Sequence, residues 1–334
     1  MNRQDKKRLL EHIFLAVLEA FSRPNQHEPQ LVANLVWYLP YFINRLSLSN
    51  GNAVKTGGVF VHAQPFVKVD NFPEARPQSV ELGDLLLLRT AYLNGQPQDH
   101  RAMLLQAKKV DRIPTLPDNK NQHHLYANWP IFEYTRASRH LNGKRRHLQG
   151  PDLYNAAKYL LISTENTDQC EECHTCSERF HNRYFCRHQL LTAHPSLPIL
   201  SHYYCFATDL LNFILGTSGK SYNTDVHNAE TGWNKVIQDL TAITAHKHSA
   251  FMGRASQDDS EERGSGSSTF FVSGEVESQS RLFELGVTTE GSSLSGRNVP
   301  PDVPGREYLD DNDNGGGVSV LEFAVHMERT DHTE

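Results

Sequence analysis

Apolar residues recur every three to four positions in three segments of the chain, as they do along the buried face of a helix. These segments predict helices over Gln4–Phe21, Pro29–Leu46 and Trp233–His246. Pro40 lies inside the second segment, where a proline bends a helix because it lacks an amide N–H. Each helix is expected to turn one apolar face inward.

Elsewhere the apolar residues alternate or form continuous runs, which is typical of strands. Leu85–Leu88 is such a run, as expected for a strand that is buried on both faces. The pair Asn94 and Gly95 turns the chain between two of these segments. The predicted strands are Val59–Val69, Val80–Tyr92, Ala102–Val110, Lys158–Ser163, His202–Leu215 and Val318–Val325, and a helix is predicted at Gln122–Tyr134.

This order of elements predicts an α/β protein with a central mixed sheet flanked by helices. We assign residues 1–250 to one domain, with its core at about residues 25–165. Residues 251–334 carry 17 acidic and 6 basic residues and are rich in Ser and Gly. This composition predicts an acidic, flexible region with a final strand at 318–325.

The charge is unevenly distributed along the chain. The whole chain of 334 residues has a net charge of −6, whereas residues 101–150 hold 10 basic and 3 acidic residues. A basic segment suits a polyanionic partner such as nucleic acid. No run of about 18 uncharged apolar residues occurs, so no membrane partner is expected. Glu11 and Glu19 interrupt the first apolar segment, which argues against a secretory signal and for a cytoplasmic protein.

Three polar residues stand out within the apolar core strands. Asp84 precedes the run Leu85–Leu88, and Gln106 and Lys108 lie two positions apart on the next strand, so they project from the same face. A carboxylate and an amide oxygen, together with a backbone carbonyl, suit Mg²⁺ or Mn²⁺. A lysine beside such an ion can orient the attacking water and stabilise a phosphate, so the three residues predict phosphodiester hydrolysis.

This arrangement resembles the PD-(D/E)xK nuclease superfamily, whose fold is restriction-endonuclease-like. The third motif reads Gln106-x-Lys108, which is similar to the Mrr-like branch, where Gln replaces the usual acidic residue. Gln122 and Tyr126 resemble the motif of the RecB-like branch, in which these residues contact DNA or support the metal site. The resemblance also implies an acidic residue on the helix before the first strand, and Glu28 is the candidate.

The resemblance implies a Mg²⁺-dependent nuclease, with DNA as the favoured substrate and a role as a prokaryotic defence effector by analogy. Asp84 and Gln106 would bind the metal ion, and Lys108 would activate water. A homodimer or a partner protein of a multi-component system would fit such a role. The alternative is a nucleic-acid-binding or scaffold protein of the same fold without catalysis, which Gln106 makes credible because it carries no negative charge.

A second cluster of candidate ligands lies in a cysteine-rich insertion at residues 168–190. The four thiols of this insertion are Cys170, Cys173, Cys176 and Cys186. Two-residue gaps between cysteines let a pair clamp one ion, so the cluster predicts a structural Zn²⁺ site, with a 4Fe–4S cluster as the alternative. Cys205 stands apart in an apolar segment and is expected in the core.

A basic loop, Arg139–Arg146, follows the predicted helix. Its last three residues, Lys144, Arg145 and Arg146, are candidates for gripping the phosphates of nucleic acid. A solvated basic loop without a partner is the alternative.

Overall fold

The computed structural model describes residues 1–22, 27–61, 65–111, 118–150, 152–163, 190–224, 232–255, 269–272 and 317–328. Within these ranges the chain forms α-helices, a 3₁₀ turn at Leu153–Asn155 and two β-sheets. None of the helices described there is both long enough and apolar enough to cross a membrane.

The helices are α1 Arg3–Ala20, α2 Glu28–Ile43, α3 Lys120–Asn128, α4 Phe206–Leu215 and α5 Trp233–Ala255. The predicted helices at α1, α2 and α5 are confirmed. Asn2 caps α1, because its side chain accepts a hydrogen bond from the N–H of Asp5. Helix α2 starts with Pro29 in its first turn, where the missing N–H costs little, and most of its residues are buried.

The strands are, in chain order, β1 Ala53–Val61, β2 Phe66–Val69, β3 Val80–Glu81, β4 Leu85–Leu93, β5 Gln96–Val110, β6 Phe132–Arg136, β7 Arg145–Arg146, β8 Ala157–Ser163, β9 Leu190–His194, β10 Ser201–Cys205, β11 Lys220–Ser221, β12 Thr269–Val272 and β13 Ser319–Met327. The larger sheet has the order β10-β9-β8-β5-β4-β13-β1-β12, and β11 pairs with β5. Its β4–β13 and β5–β8 pairs are parallel and the others are antiparallel. The prediction of an α/β protein with a central mixed sheet flanked by helices is therefore confirmed.

The last strand of the larger sheet lies in its middle. Strand β13 confirms the predicted final strand and pairs with β4 from Ser319 opposite Leu85 to Met327 opposite Leu93. On its other side it pairs with β1. It is buried along most of its length because neighbours cover both of its edges and both of its faces.

The smaller sheet has the order β3-β2-β6-β7. It brings the basic strand β7 next to β6 and ends at β3, whose Glu81 lies three residues before Asp84. The smaller sheet therefore borders the predicted site at one edge and carries basic residues at the other.

Four predicted element boundaries are wrong. The segment Val59–Val69 is two strands in different sheets, β1 and β2, and Val80–Tyr92 is likewise divided into β3 and β4. The helix predicted to reach Tyr134 ends at Asn128, because Trp129 takes a left-handed conformation and strand β6 follows. The segment His202–Leu215 is a strand only to Cys205 and continues as helix α4.

The two faces of the larger sheet carry different helices. Gln106 and Tyr159 are neighbours in register on β5 and β8, and helix α3 packs on that face through Tyr126, whose ring lies 5.6 Å from that of Tyr159. Lys158, the residue before Tyr159, points to the other face, as successive residues of a strand do. There it forms a buried ion pair of 2.8 Å with Asp209 of α4. The candidate catalytic residues thus share the α3 face of the sheet.

Candidate active site

Asp84 occupies a fixed position immediately before β4. Its N–H donates to the carbonyl of Leu105 on one side, and its carbonyl accepts from the N–H of Ser319 on the other. The strands that flank Asp84 therefore hold its backbone from both directions. Its side chain is only 8% exposed.

The carboxylate of Asp84 is bound by β5. One of its oxygens, Oδ2, accepts hydrogen bonds from the side-chain amide of Gln106 and, at 2.7 Å, from the backbone N–H of Ala107. The same amide nitrogen lies 3.4 Å from a carboxylate oxygen of Glu81. Nε2 of Gln106 thus lies between two carboxylates.

Glu81 is a site residue that the sequence analysis missed. It lies on β3 of the smaller sheet and is half-buried, and its charge acts on Asp84. Its spacing of three residues from Asp84 is the only signal in the sequence, and that spacing gives no indication of a shared face. The carboxylate of Glu81 supplies the negative charge that the neutral amide of Gln106 does not.

Helix α3 supports this cluster from above the sheet. Nε2 of Gln122 donates to Oε1 of Gln106 over 2.8 Å and to the carbonyl of Glu81 over 3.0 Å. The hydroxyl of Tyr126 donates to the carbonyl of Leu82 over 2.6 Å. Both side chains are buried, so Gln122 and Tyr126 hold the site together instead of presenting a surface to nucleic acid.

Lys108 and Glu28 complete the charged surroundings of Asp84. Lys108 is half-buried and shares its face of β5 with Gln106, and its charge favours the ionised form of Asp84. The Glu28 carboxylate accepts a hydrogen bond of 2.7 Å from the backbone N–H of Lys109. The structure therefore brings Glu28, Glu81, Asp84, Gln106 and Lys108 to one place.

The surroundings of Asp84 disfavour its charge when no cation is present. Burial, followed by the charge of Glu81, raises the pKa of Asp84 to about 7. The charge of Lys108 and the N–H of Ala107 lower that pKa, and the charge of Glu28 raises it. A buried carboxylate beside further carboxylates is a place where a bound cation lowers the free energy of the charged form.

The carboxylate and amide oxygens at this site fit a divalent cation such as Mg²⁺, provided that the side-chain amide of Gln106 turns. No three His, Cys, Asp or Glu side chains in the described ranges stand close enough together to hold a metal ion. The amide nitrogen of Gln106 carries a partial positive charge and bonds to the carboxylates of both Asp84 and Glu81. Two carboxylate oxygens therefore point at the place where this nitrogen lies. For Gln106 to serve as a ligand its amide must turn, and Gln122 must then turn with it.

The basic candidates differ in their surroundings. Lys144 and Arg145 are exposed, and Arg145 pairs with the exposed Asp70. Arg146 is 7% exposed and forms an ion pair of 2.6 Å with the buried Asp239 of α5. Arg146 is therefore a structural residue, and the prediction that it grips phosphates is wrong because its guanidinium is buried against Asp239.

The cysteine cluster lies outside the described residues, so Cys170, Cys173, Cys176 and Cys186 and their structural metal stay predictions. Cys205 is buried in the core at the end of β10, as expected.

No protein-family model, curated protein or solved structure matches this chain significantly.

Proposed function

We propose that the protein is a Mg²⁺- or Mn²⁺-dependent nuclease with a restriction-endonuclease-like fold, and that DNA is its favoured substrate. The observation that carries this proposal is that the carboxylates of Asp84 and Glu81 converge on one point, with Gln106 and Lys108 on the adjoining face of β5. These residue types supply a cation site and a positive charge side by side, which phosphodiester hydrolysis needs.

The order of elements supports the fold. Without the strands of the smaller sheet, α2, β1, β4, β5, α3 and β8 follow one another along the chain as helix, three strands, helix and strand. Asp84 immediately precedes β4, and Gln106 lies on the adjacent strand β5. Strands β5 and β8 are parallel, as expected for two strands joined across a helix. The insertion of β13 between β1 and β4 is an addition to that order.

Each residue of the site has a task in this mechanism. Asp84 and Glu81 would hold the cation, together with the oxygen of Gln106 after its amide turns. A bound Mg²⁺ or Mn²⁺ supplies Lewis-acid polarisation of the phosphate and lowers the pKa of a coordinated water. Lys108 hydrogen-bonds the attacking water and offsets the negative charge that builds up on the phosphate oxygens. Gln122 and Tyr126 keep Gln106 and the segment before Asp84 in place.

The experiment that tests this proposal compares two adjacent lysines. Lys108 and Lys109 carry the same charge, but Lys109 is exposed and points away from Gln106, because successive strand residues alternate in direction. We expect Lys108→Ala to lower the rate of plasmid or single-stranded DNA cleavage by roughly 100-fold or more, and Lys109→Ala to have little effect. EDTA should abolish cleavage by the wild type. Cleavage that survives Lys108→Ala contradicts the proposed site.

A second candidate function is a nucleic-acid-binding protein of the same architecture that does not cleave. It is favoured by the hydrogen bond that Gln106 donates to Asp84, since a nitrogen in that position repels a metal ion. If this second function is correct, the wild type binds DNA and does not cleave it with any divalent cation. Lys144→Ala and Arg145→Ala would then weaken binding in the same way with and without Mg²⁺.

A further inference from the structure

A cavity of about 580 Å³ lies beside the proposed active site, between the end of α3 and the β9–β10 strands. Its volume is in the range of small-molecule sites, roughly 300–1,000 Å³. Tyr126, Asn128 and Trp129 line it from α3, and His194 and Tyr204 line it from the sheet. Its rim includes Tyr154, which is 60% exposed.

Half of the residues that line the cavity carry aromatic or imidazole rings, and three of these rings lie around His194. The ring of His194 lies 5.8 Å from that of Tyr154, 5.8 Å from that of His202 and 6.1 Å from that of Tyr204. The residues of the described chain that line the cavity include no Asp, Glu, Lys or Arg. An aromatic cavity without charged side chains suits a neutral, planar ligand.

The cavity also has polar edges. Burial, and then the charge of Lys158, lowers the pKa of His194 to about 4, so its imidazole is neutral at physiological pH. Its N–H bonds to the backbone of Tyr154, and the other ring nitrogen is an acceptor. The side chain of Asn128 is exposed, and because its nitrogen bonds to His124, its oxygen is the acceptor that it offers to the cavity. Neutral acceptors beside aromatic rings suit the amino and imino donors on the edge of a nucleobase.

Two of the lining residues have an unusual backbone conformation. Trp129 has a φ of 44° and His202 a φ of 51°. The other non-glycine residues of the described chain with positive φ are Asn or Asp, which like His adopt this conformation more often than other residues, so Trp129 is the stronger exception. A bulky residue held in the left-handed region costs free energy, and such residues concentrate at ligand sites and active sites. The strand pairing is irregular at His202 too, which turns that side chain out of the regular ladder.

The cavity and the catalytic cluster share a wall. The ring of Tyr126 lines the cavity, whereas its hydroxyl bonds to the carbonyl of Leu82, two residues before Asp84. His123, on the same helix, lies 2.7 Å through Nε2 from the carbonyl of Ser196, which belongs to the opposite wall. Tyr126 and His123 of α3 thus connect the wall of the cavity to the segment that precedes Asp84.

We propose that this cavity binds an unpaired nucleobase of a nucleic-acid strand whose backbone crosses the Asp84–Lys108 site. The proposal rests on the proposed function for the position of the backbone. Stacking on Tyr154 and His202 supplies the binding free energy, which is about 1–3 kcal/mol for each base stacked on an aromatic side chain. The substrate class is then single-stranded nucleic acid, or duplex with an unpaired base, instead of fully paired duplex.

The test measures binding apart from cleavage. The full-length protein is titrated in EDTA with a single-stranded oligonucleotide that contains one 2-aminopurine, and fluorescence reports both binding and stacking. We expect the wild type to quench the fluorophore, and we expect Tyr154→Ala and His202→Ala each to weaken binding roughly tenfold and to restore the fluorescence. Tyr41→Ala is the matched control, because Tyr41 is an exposed tyrosine on α2 outside the cavity. Circular dichroism confirms that each variant folds.

The outcomes separate this inference from the proposed function. Unchanged oligonucleotide binding and quenching in both cavity variants overturn the inference, whether or not the wild type cleaves DNA. A deoxynucleoside monophosphate that binds with the same dependence on Tyr154, while the oligonucleotide does not, also overturns it, because the cavity then takes a free nucleotide. Binding that depends on Tyr154 and His202 in a protein that never cleaves supports the inference and contradicts the nuclease.

Discussion

The side-chain amide of Gln106 donates a hydrogen bond to the buried carboxylate of Asp84. Because that nitrogen also faces Glu81, it partly neutralises two carboxylates in the protein without metal. A cation at the same place would bind the same oxygens. The amide and the cation therefore compete, and metal binding requires Gln106 to turn.

Replacing Gln106 by Glu tests this competition. The third carboxylate should lower the free energy of unfolding in EDTA, because like charges repel in a buried site, and it should strengthen the binding of Mg²⁺. Since a ligand that binds only the folded state stabilises it, Mg²⁺ should raise Tm more in this variant than in the wild type, by at least about 3 °C. The measurement is thermal unfolding with and without millimolar Mg²⁺. Gln98→Glu, at an exposed position of the same strand, should show no such difference.

Asp84→Asn should change how stability depends on pH. The folded-state pKa of Asp84 is raised to about 7 by burial and by Glu81. The contribution of this group is fully present below the unfolded-state pKa, near 4, and is lost as pH rises through 7. Asn does not titrate, so in EDTA the variant should be more stable than the wild type at pH 8, by on the order of 2 kcal/mol, and the difference should shrink toward pH 4.

Urea unfolding at several pH values in EDTA measures this difference. Asp70→Asn is the control, since Asp70 is exposed and pairs only with Arg145 among the residues described. A constant difference between wild type and the Asp84 variant from pH 4 to pH 8 would contradict the prediction. The Asp84 variant should also have lost its cleavage activity, so a stabilised but inactive protein is the expected combination.

Tyr126→Phe should lower both stability and activity. The change removes the hydroxyl that bonds to the carbonyl of Leu82 and leaves that carbonyl without this donor, at a cost of about 1–2 kcal/mol. Tyr203→Phe removes an equivalent bond of 3.0 Å to the carbonyl of Leu200, at the far edge of the sheet. Both variants should be less stable, but only Tyr126→Phe should reduce the cleavage rate when both are assayed well below their Tm. An equal loss of rate in both would show that Tyr126 acts through stability alone.

Substitution by Ala should affect stability at Arg146 and DNA binding at Arg145. Arg146→Ala leaves the buried Asp239 without its main partner, which costs about 3–5 kcal/mol, and should lower Tm strongly. Arg145→Ala removes an exposed charge, so its effect on stability should be below about 1 kcal/mol. Its effect should instead appear as weaker DNA binding, with a smaller dependence on salt. Thermal unfolding and a salt series of binding measurements distinguish the two; a stable Arg146→Ala protein would contradict the assignment.

Local patterns predicted much of the sheet. The run Leu85–Leu88 and the pair Asn94 and Gly95 were enough to place β4, β5 and the turn between them, and both turn residues have the positive φ that such a tight hairpin needs. The spacing of Gln106 and Lys108 was likewise enough to place them on one face.

Relationships between distant residues could not be predicted. Glu81 belongs to the smaller sheet, and only the packing of that sheet brings its carboxylate to Gln106. Arg146 lies in a basic loop of the sequence, but Asp239, 93 residues later, draws it into the interior. The helix predicted from Gln122 extends beyond the observed end at Asn128, because nothing in the sequence marks Trp129 as left-handed.

Because β13 lies in the middle of the larger sheet, that sheet cannot be completed until the end of the described chain has been synthesised. The N–H of Ser319 donates to the carbonyl of Asp84, so the backbone around the proposed catalytic carboxylate is completed only after synthesis has passed residue 319. Pairings between strands this far apart in sequence form slowly. A nascent chain that has not yet reached Ser319 would therefore carry an incomplete site, and any activity of the Asp84 cluster would begin only after β13 has paired.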